Sequence, residues 1–96
     1  MPGVGSATLD FGASPGSDEA SAVVTGQTGI LAGSHCEAFW MGDATADHSA
    51  DEHALGPFVI ALVCRDVVAG TGFTVVGRST SGVAITGQWT VRWVWA

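Results

Sequence analysis

Hydrophobic residues recur along this chain with a period of two, the pattern of strands that bury one face. Ala7, Leu9 and Phe11 alternate with Thr8 and Asp10. Ser14-Pro15-Gly16-Ser17-Asp18 then reads as a turn, where proline presets φ and glycine tolerates positive φ. A second strand is expected over 20–25 and a short apolar one over 29–32. Residues 35–41 alternate again, with Cys36, Ala38 and Trp40 on one face and His35, Glu37, Phe39 and Met41 on the other. The run 58–65 is apolar on both faces, as expected of a strand that is central in its sheet or covered by a neighbour. Ala69-Gly70-Thr71-Gly72 reads as a tight connection into 73–78, and 79–82 as a further turn. Strands over 83–86 and 89–95 finish the chain, the last placing Trp89, Val91, Trp93 and Trp95 on one face.

This pattern predicts an all-β fold: a small antiparallel β-sandwich or barrel of six to seven strands, one domain over 1–96, with one long acidic loop. Helical periodicity is absent outside that loop. Ala22-Val23-Val24-Thr25-Gly26-Gln27 echoes Val83-Ala84-Ile85-Thr86-Gly87-Gln88, as two segments ending in the same bulge or turn would.

Composition adds a reason to expect company. Hydrophobic residues make up 47 % of the 96 and charged ones only 12 %. About a quarter charged is usual for a soluble domain. A domain this short also buries only about 60 % of its unfolded surface, so part of its apolar surface is expected to meet another protein. The net charge is −6, and Arg65, Arg78 and Arg92 are the only basic residues apart from histidine. Nucleic-acid binding needs clustered positive charge to displace counterions, and anionic membranes ask for the same, so neither is an expected partner. The first ten residues lack the basic and apolar stretches of a secretory signal. The longest apolar run, 58–64, is far below the ~20 residues of a membrane helix. Cys36 and Cys64 are too few for a disulfide scaffold and read more readily as small buried hydrophobes.

Candidate chemistry gathers in 42–53, which holds Asp43, Asp47, Asp51, Glu52, His48 and His53. Ser49 followed by Glu52 is a capping-box pattern, which predicts one helical turn over 50–55 before Gly56-Pro57 stops it. Imidazoles and carboxylates are ligand types that divalent metals accept, and His48, Asp51 and His53 are the candidate ligands. The five-residue step from His48 to His53 matches no zinc motif and does not put both on one helical face. A solvated acidic loop with local caps is the plainer reading, and a pH-sensitive contact through the histidines a third. Apart from this possible divalent metal, no cofactor is expected.

Catalytic patterns are otherwise weak. No Gly-x-Ser-x-Gly elbow marks a serine, and His35 and Cys36, as neighbours on a strand, point to opposite faces. Glu37 and Asp66 pair only if the fold brings them together. Gly70-Thr71-Gly72 is too short for a phosphate loop. The chain is therefore expected not to be an enzyme. Trp89, Trp93 and Trp95, with Trp40 on another strand, read first as core and second as an aromatic surface for a partner. With nothing following Ala96, the edge of the last strand is expected to lie open or to pair with a neighbour.

Three stretches together carry a resemblance: Ala7-Thr8-Leu9-Asp10-Phe11-Gly12, Thr45-Ala46-Asp47-His48-Ser49-Ala50-Asp51-Glu52-His53, and Gly70-Thr71-Gly72-Phe73-Thr74 with the ending Trp89-Thr90-Val91-Arg92-Trp93-Val94-Trp95. The chain resembles small β-rich structural proteins of tailed bacteriophages and prophages. The resemblance implies a virion protein made in the bacterial host cytoplasm, partnered by other virion proteins and by copies of itself, a trimer being favoured. It brings no catalytic motif. The expected role is in the tail or tail-fibre apparatus. A capsid decoration protein is the first alternative, and a small metal-dependent enzyme using His48, Asp51 and His53 is the second.

Overall fold

Large side chains from one strand and glycines from its neighbour set the geometry of the first sheet. The computed structural model describes residues 2–96. Its strands are β1 (Gly3–Asp10), β2 (Glu19–Val24), β3 (Cys36–Phe39), β4 (Ile60–Val68), β5 (Gly72–Ser79) and β6 (Gln88–Trp95). Two short helices, α1 (Ala50–Ala54) and α2 (Gly56–Val59), lie between β3 and β4. The strands form two three-stranded antiparallel sheets, ordered β1-β6-β3 and β2-β5-β4, so the fold is mostly β and no barrel closes.

The two sheets share one core. Leu9, Trp89, Val91, Trp93 and Trp95 enter it from the first sheet, and Ala20, Val24, Ile60, Phe73 and Val75 from the second. Across β1 and β6, Gly3 faces Trp95, Gly5 faces Trp93, and Ala7 faces Val91. A Cβ on Gly3 or Gly5 would run into the indole of its partner. The aromatic rings lie over bare backbone and restore the packing that glycine forfeits in a strand. Trp93 also meets Phe73 of the opposite sheet edge to face, with centroids 5.4 Å apart.

Several expectations are corrected here. β1 begins at Gly3, not Ala7, because its inward positions are glycines that carry no hydrophobic signal. Residues 29–32 form a turn, not a strand. Ile30 reaches the core from that turn, held by Ile30 N–H to Gln27 C=O at 3.1 Å and Gly70 N–H to Ile30 C=O at 2.8 Å. In 83–86 only Ile85 makes a bridge, to Ser17. Gly56-Pro57 opens α2 instead of ending the helical region, proline being well tolerated in a first turn. β4 starts at Ile60 and lies at a sheet edge, with β5 in the centre. Its outward Val63 is therefore uncovered. β6 is the central strand of its sheet, flanked by β1 and β3, and not an open edge. Among the described residues, no helix is long and apolar enough to cross a membrane.

Candidate functional site

The edge of β6 is longer than the strand beside it. β3 ends at Phe39, opposite Arg92, so among the described residues no strand reaches the Thr86–Thr90 end on that side. Side chains of the 42–53 loop take the vacant positions. His48 Nε2 donates to Thr86 C=O at 2.7 Å, and Thr45 Oγ1 donates to Gln88 C=O at 2.7 Å. Gln88 N–H donates to Asp47 Oδ2 at 2.8 Å, and Thr90 N–H donates to His53 Nε2 at 2.9 Å. Backbone groups at residues 86, 88 and 90 thus bond side chains where a neighbouring strand would offer N–H and C=O. This satisfies groups that are costly to leave unpaired and closes an edge on which another chain could template.

Local structure aims these side chains. The predicted capping box is present: Glu52 N–H donates to Ser49 Oγ at 3.1 Å and Ser49 N–H to Glu52 Oε1 at 2.9 Å. The turn of α1 that follows carries His53 inward, where it is 0 % exposed. Because His53 Nε2 accepts from Thr90, its proton sits on Nδ1, which donates to Ser49 C=O at 2.9 Å. Its ring lies among Trp89, Trp40 and His48. Gly87 makes the close approach possible. Its φ is +79°, and a Cβ there would stand 2.9 Å from both Asp47 Cβ and His48 Nε2.

His48 stacks on Trp89 with centroids 3.8 Å apart and planes at 21°. Its Nε2 faces the Thr86 carbonyl and its Nδ1 faces Glu52 Oε2 at 3.1 Å, so both nitrogens point at acceptors. Burial is the largest single influence on its pKa and pushes it down. The bonds to Glu52 and the Thr86 carbonyl, with the charges of Glu52 and Asp47, outweigh burial and raise the pKa above the ordinary histidine value. The Ser49 backbone N–H, and then His48, hold the Glu52 carboxyl below its ordinary value. At the base of the loop, Arg92 grips Asp43 through two bonds of 2.8 and 2.9 Å, which lowers the Asp43 pKa.

This geometry does not assemble His48, Asp51 and His53 as a ligand set. All four ring nitrogens are engaged in hydrogen bonds, and Asp51 is exposed on α1. Among the described residues, no group of three or more His, Cys, Asp or Glu stands where it could hold a metal ion. The partner-contact reading of Trp89, Trp93 and Trp95 is corrected as well. Each is only 6 % exposed, because β6 turns its odd-numbered residues toward the second sheet. Trp89 Nε1 donates to Thr86 C=O and Trp95 Nε1 to Gln27 Oε1. Glu37 pairs with His35 and Asp66 with Arg65.

Exposed apolar side chains lie elsewhere. On the outer face of the β1-β6-β3 sheet, Val4, Phe39 and Met41 are 77, 38 and 56 % exposed. With the Asp43–Arg92 ion pair they wall an open groove of ≈ 700 Å³. The signal for it in the sequence was Phe39 and Met41 on the face of the strand that also carries His35 and Glu37, a face that alternation assigns to water. Compared with known proteins, the chain matches no family model, no curated protein and no solved structure.

Proposed function

We propose that this chain is a six-stranded β-sandwich that works by assembly, its outer β1-β6-β3 face covered by a second copy of itself within a tailed-phage particle. The observation that carries this reading is the exposed apolar groove of Val4, Phe39 and Met41. Single exposed hydrophobes are common on monomers, but three of them lining one groove beside polar groups favour an interaction site. The Asp43–Arg92 pair at its side supplies both signs of charge, which suits a contact with a differently charged patch on the next copy of a ring. A binding role is also supported by the polar loop, whose two histidines are committed to backbone groups.

The tail or tail-fibre apparatus is the favoured location, in line with the sequence resemblance. A decoration protein clamping head subunits would use the same face. A metal-dependent enzyme on His48, Asp51 and His53 draws no support from a site whose ring nitrogens are all occupied.

Sedimentation of the purified chain tests the assembly. The expected mass is an integer multiple of 9.7 kDa, three copies being favoured, and Phe39→Asp should shift it to one copy while the fold persists. A wild-type chain that stays monomeric at high concentration would remove this reading. Immunogold labelling of phage particles then locates it: gold on the tail supports the fibre role, gold over the head the decoration role, and unlabelled particles end the virion reading.

A further inference from the structure

The two cysteines stand on different sheets at the same open side of the molecule. Cys36 opens β3 and Cys64 lies in β4, each an edge strand, and both side chains pack against the core. Cα atoms of β3 and β4 approach within 8 Å, nearer than the ~10 Å that separates facing sheets. No ladder joins these strands, because they belong to different sheets. Both cysteines are free thiols, and they line one cleft together with His35, Glu37, Ala38 and Leu62. A disulfide needs its two Cα atoms about 4.4–6.8 Å apart, and the two thiols are near enough for Cys36 to act on Cys64.

We propose that Cys36 and Cys64 are a site of reversible intramolecular disulfide formation, a clasp between the two sheets, with a low-molecular-weight disulfide such as oxidised glutathione as the oxidant. The Cys36 thiolate attacks one sulfur of oxidised glutathione. Its S–S bond breaks, and one glutathione leaves as a thiolate that takes up a proton. The Cys64 thiolate then attacks the Cys36 sulfur of the mixed disulfide and expels the second glutathione, which is protonated in turn. Two protein thiols are oxidised, one glutathione disulfide is reduced to two thiols, and the two protons lost by the protein go to glutathione.

Cys36 is the entry point because it is the less deeply buried of the two. The Cys64 thiol is pushed up to about 11, by burial first and then by Cys36 and Glu37. Burial raises Cys36 as well. Thiolate is therefore scarce at neutral pH, and exchange should be slow there and faster in mild alkali. Joining 36 to 64 closes a loop that spans β3, both helices and the start of β4, so a sizeable rise in thermal stability follows.

The test is incubation of the folded full-length chain with oxidised glutathione in mildly alkaline buffer, followed by acid quench and intact-mass measurement. The expected product is a chain of unchanged oligomeric state, lighter by two hydrogens, without free thiols, and melting roughly 10 °C higher or more. Addition of dithiothreitol should reverse all of these changes. Cys64→Ser should stop at one glutathione adduct with no such rise in melting temperature, and Cys36→Ser is the matching control on the other strand. Persistent thiols, wild-type adducts that never resolve, or cross-linked dimers would each overturn the clasp.

Discussion

The loop 42–53 and the outer face of the β1-β6-β3 sheet adjoin the same central strand and differ sharply in composition. The loop is rich in carboxylate and imidazole, residue types that suggest chemistry. The groove on the face sets exposed Val4, Phe39 and Met41 among Ser6, Thr90 and the Asp43–Arg92 ion pair. In the folded chain Thr45, Asp47, His48 and His53 are consumed internally, bonding the end of β6 that β3 fails to reach. Val4 and Met41 on the outer face stay largely open to solvent. Residue type names what a side chain can do, and what it is already bonded to decides what it remains free to do.

That contrast is most exposed to attack at His53. Replacing it with alanine should remove a fully buried ring and leave the Thr90 N–H without its acceptor. The expected loss is about 3 kcal/mol, from the cavity and the orphaned donor together. Urea unfolding would measure it, and a loss below about 1 kcal/mol would mean that the loop is only loosely docked.

Next in size is Gly5→Ala, on the inner side of the same sheet. The added methyl group meets the buried Trp93 ring, so an overpacking cost of roughly 1–3 kcal/mol should exceed the small gain from a stiffer unfolded chain. A stabilised variant in the same urea experiment would show that the indole-over-glycine contact is looser than described.

The smallest effect is a pH dependence set by His48 and Glu52. The raised His48 pKa contributes stability that is fully present below the ordinary histidine value of about 6.5 and is lost as pH rises through the folded value. The lowered Glu52 pKa contributes stability present above the ordinary glutamate value, about 4.3, and lost as pH falls through the folded value. The pair should therefore hold the loop best in mildly acidic solution. His48→Gln should flatten the alkaline side of the melting-temperature profile, and a wild-type profile that rises there would contradict the assignment.

Much of this arrangement was legible along the chain, for physical reasons that differ by element. β6 and β3 could be read because each alternates strictly between core and solvent, and α1 because the Ser49–Glu52 box is a local signal. The start of β1 was hidden, since glycine at its inward positions makes sense only beside Trp93 and Trp95, about ninety residues away in sequence. Residues 29–32 and 83–86 are apolar enough for strands, but tertiary contacts hold Ile30 and Ile85 as single anchors. The loop is distinctive in composition, and its partners are not visible there. They are backbone groups at 86, 88 and 90, and only sheet order shows that β3 stops short of them. The cysteines read as buried hydrophobes because nothing local reveals that β3 and β4 meet at a shared cleft.

The most direct test of the loop's role is amide hydrogen exchange at Gln88 and Thr90, resolved residue by residue by NMR. If Asp47 and His53 stand in for a missing strand, both amides should exchange slowly, like those expected of Val91 and Trp93 on the β1 side, and Asp47→Ala should release Gln88 while leaving those two protected. Fast exchange at Gln88 and Thr90 in the wild-type chain, with Val91 and Trp93 slow, would show that the loop does not close the edge and would return its histidines to the pool of groups free for other chemistry.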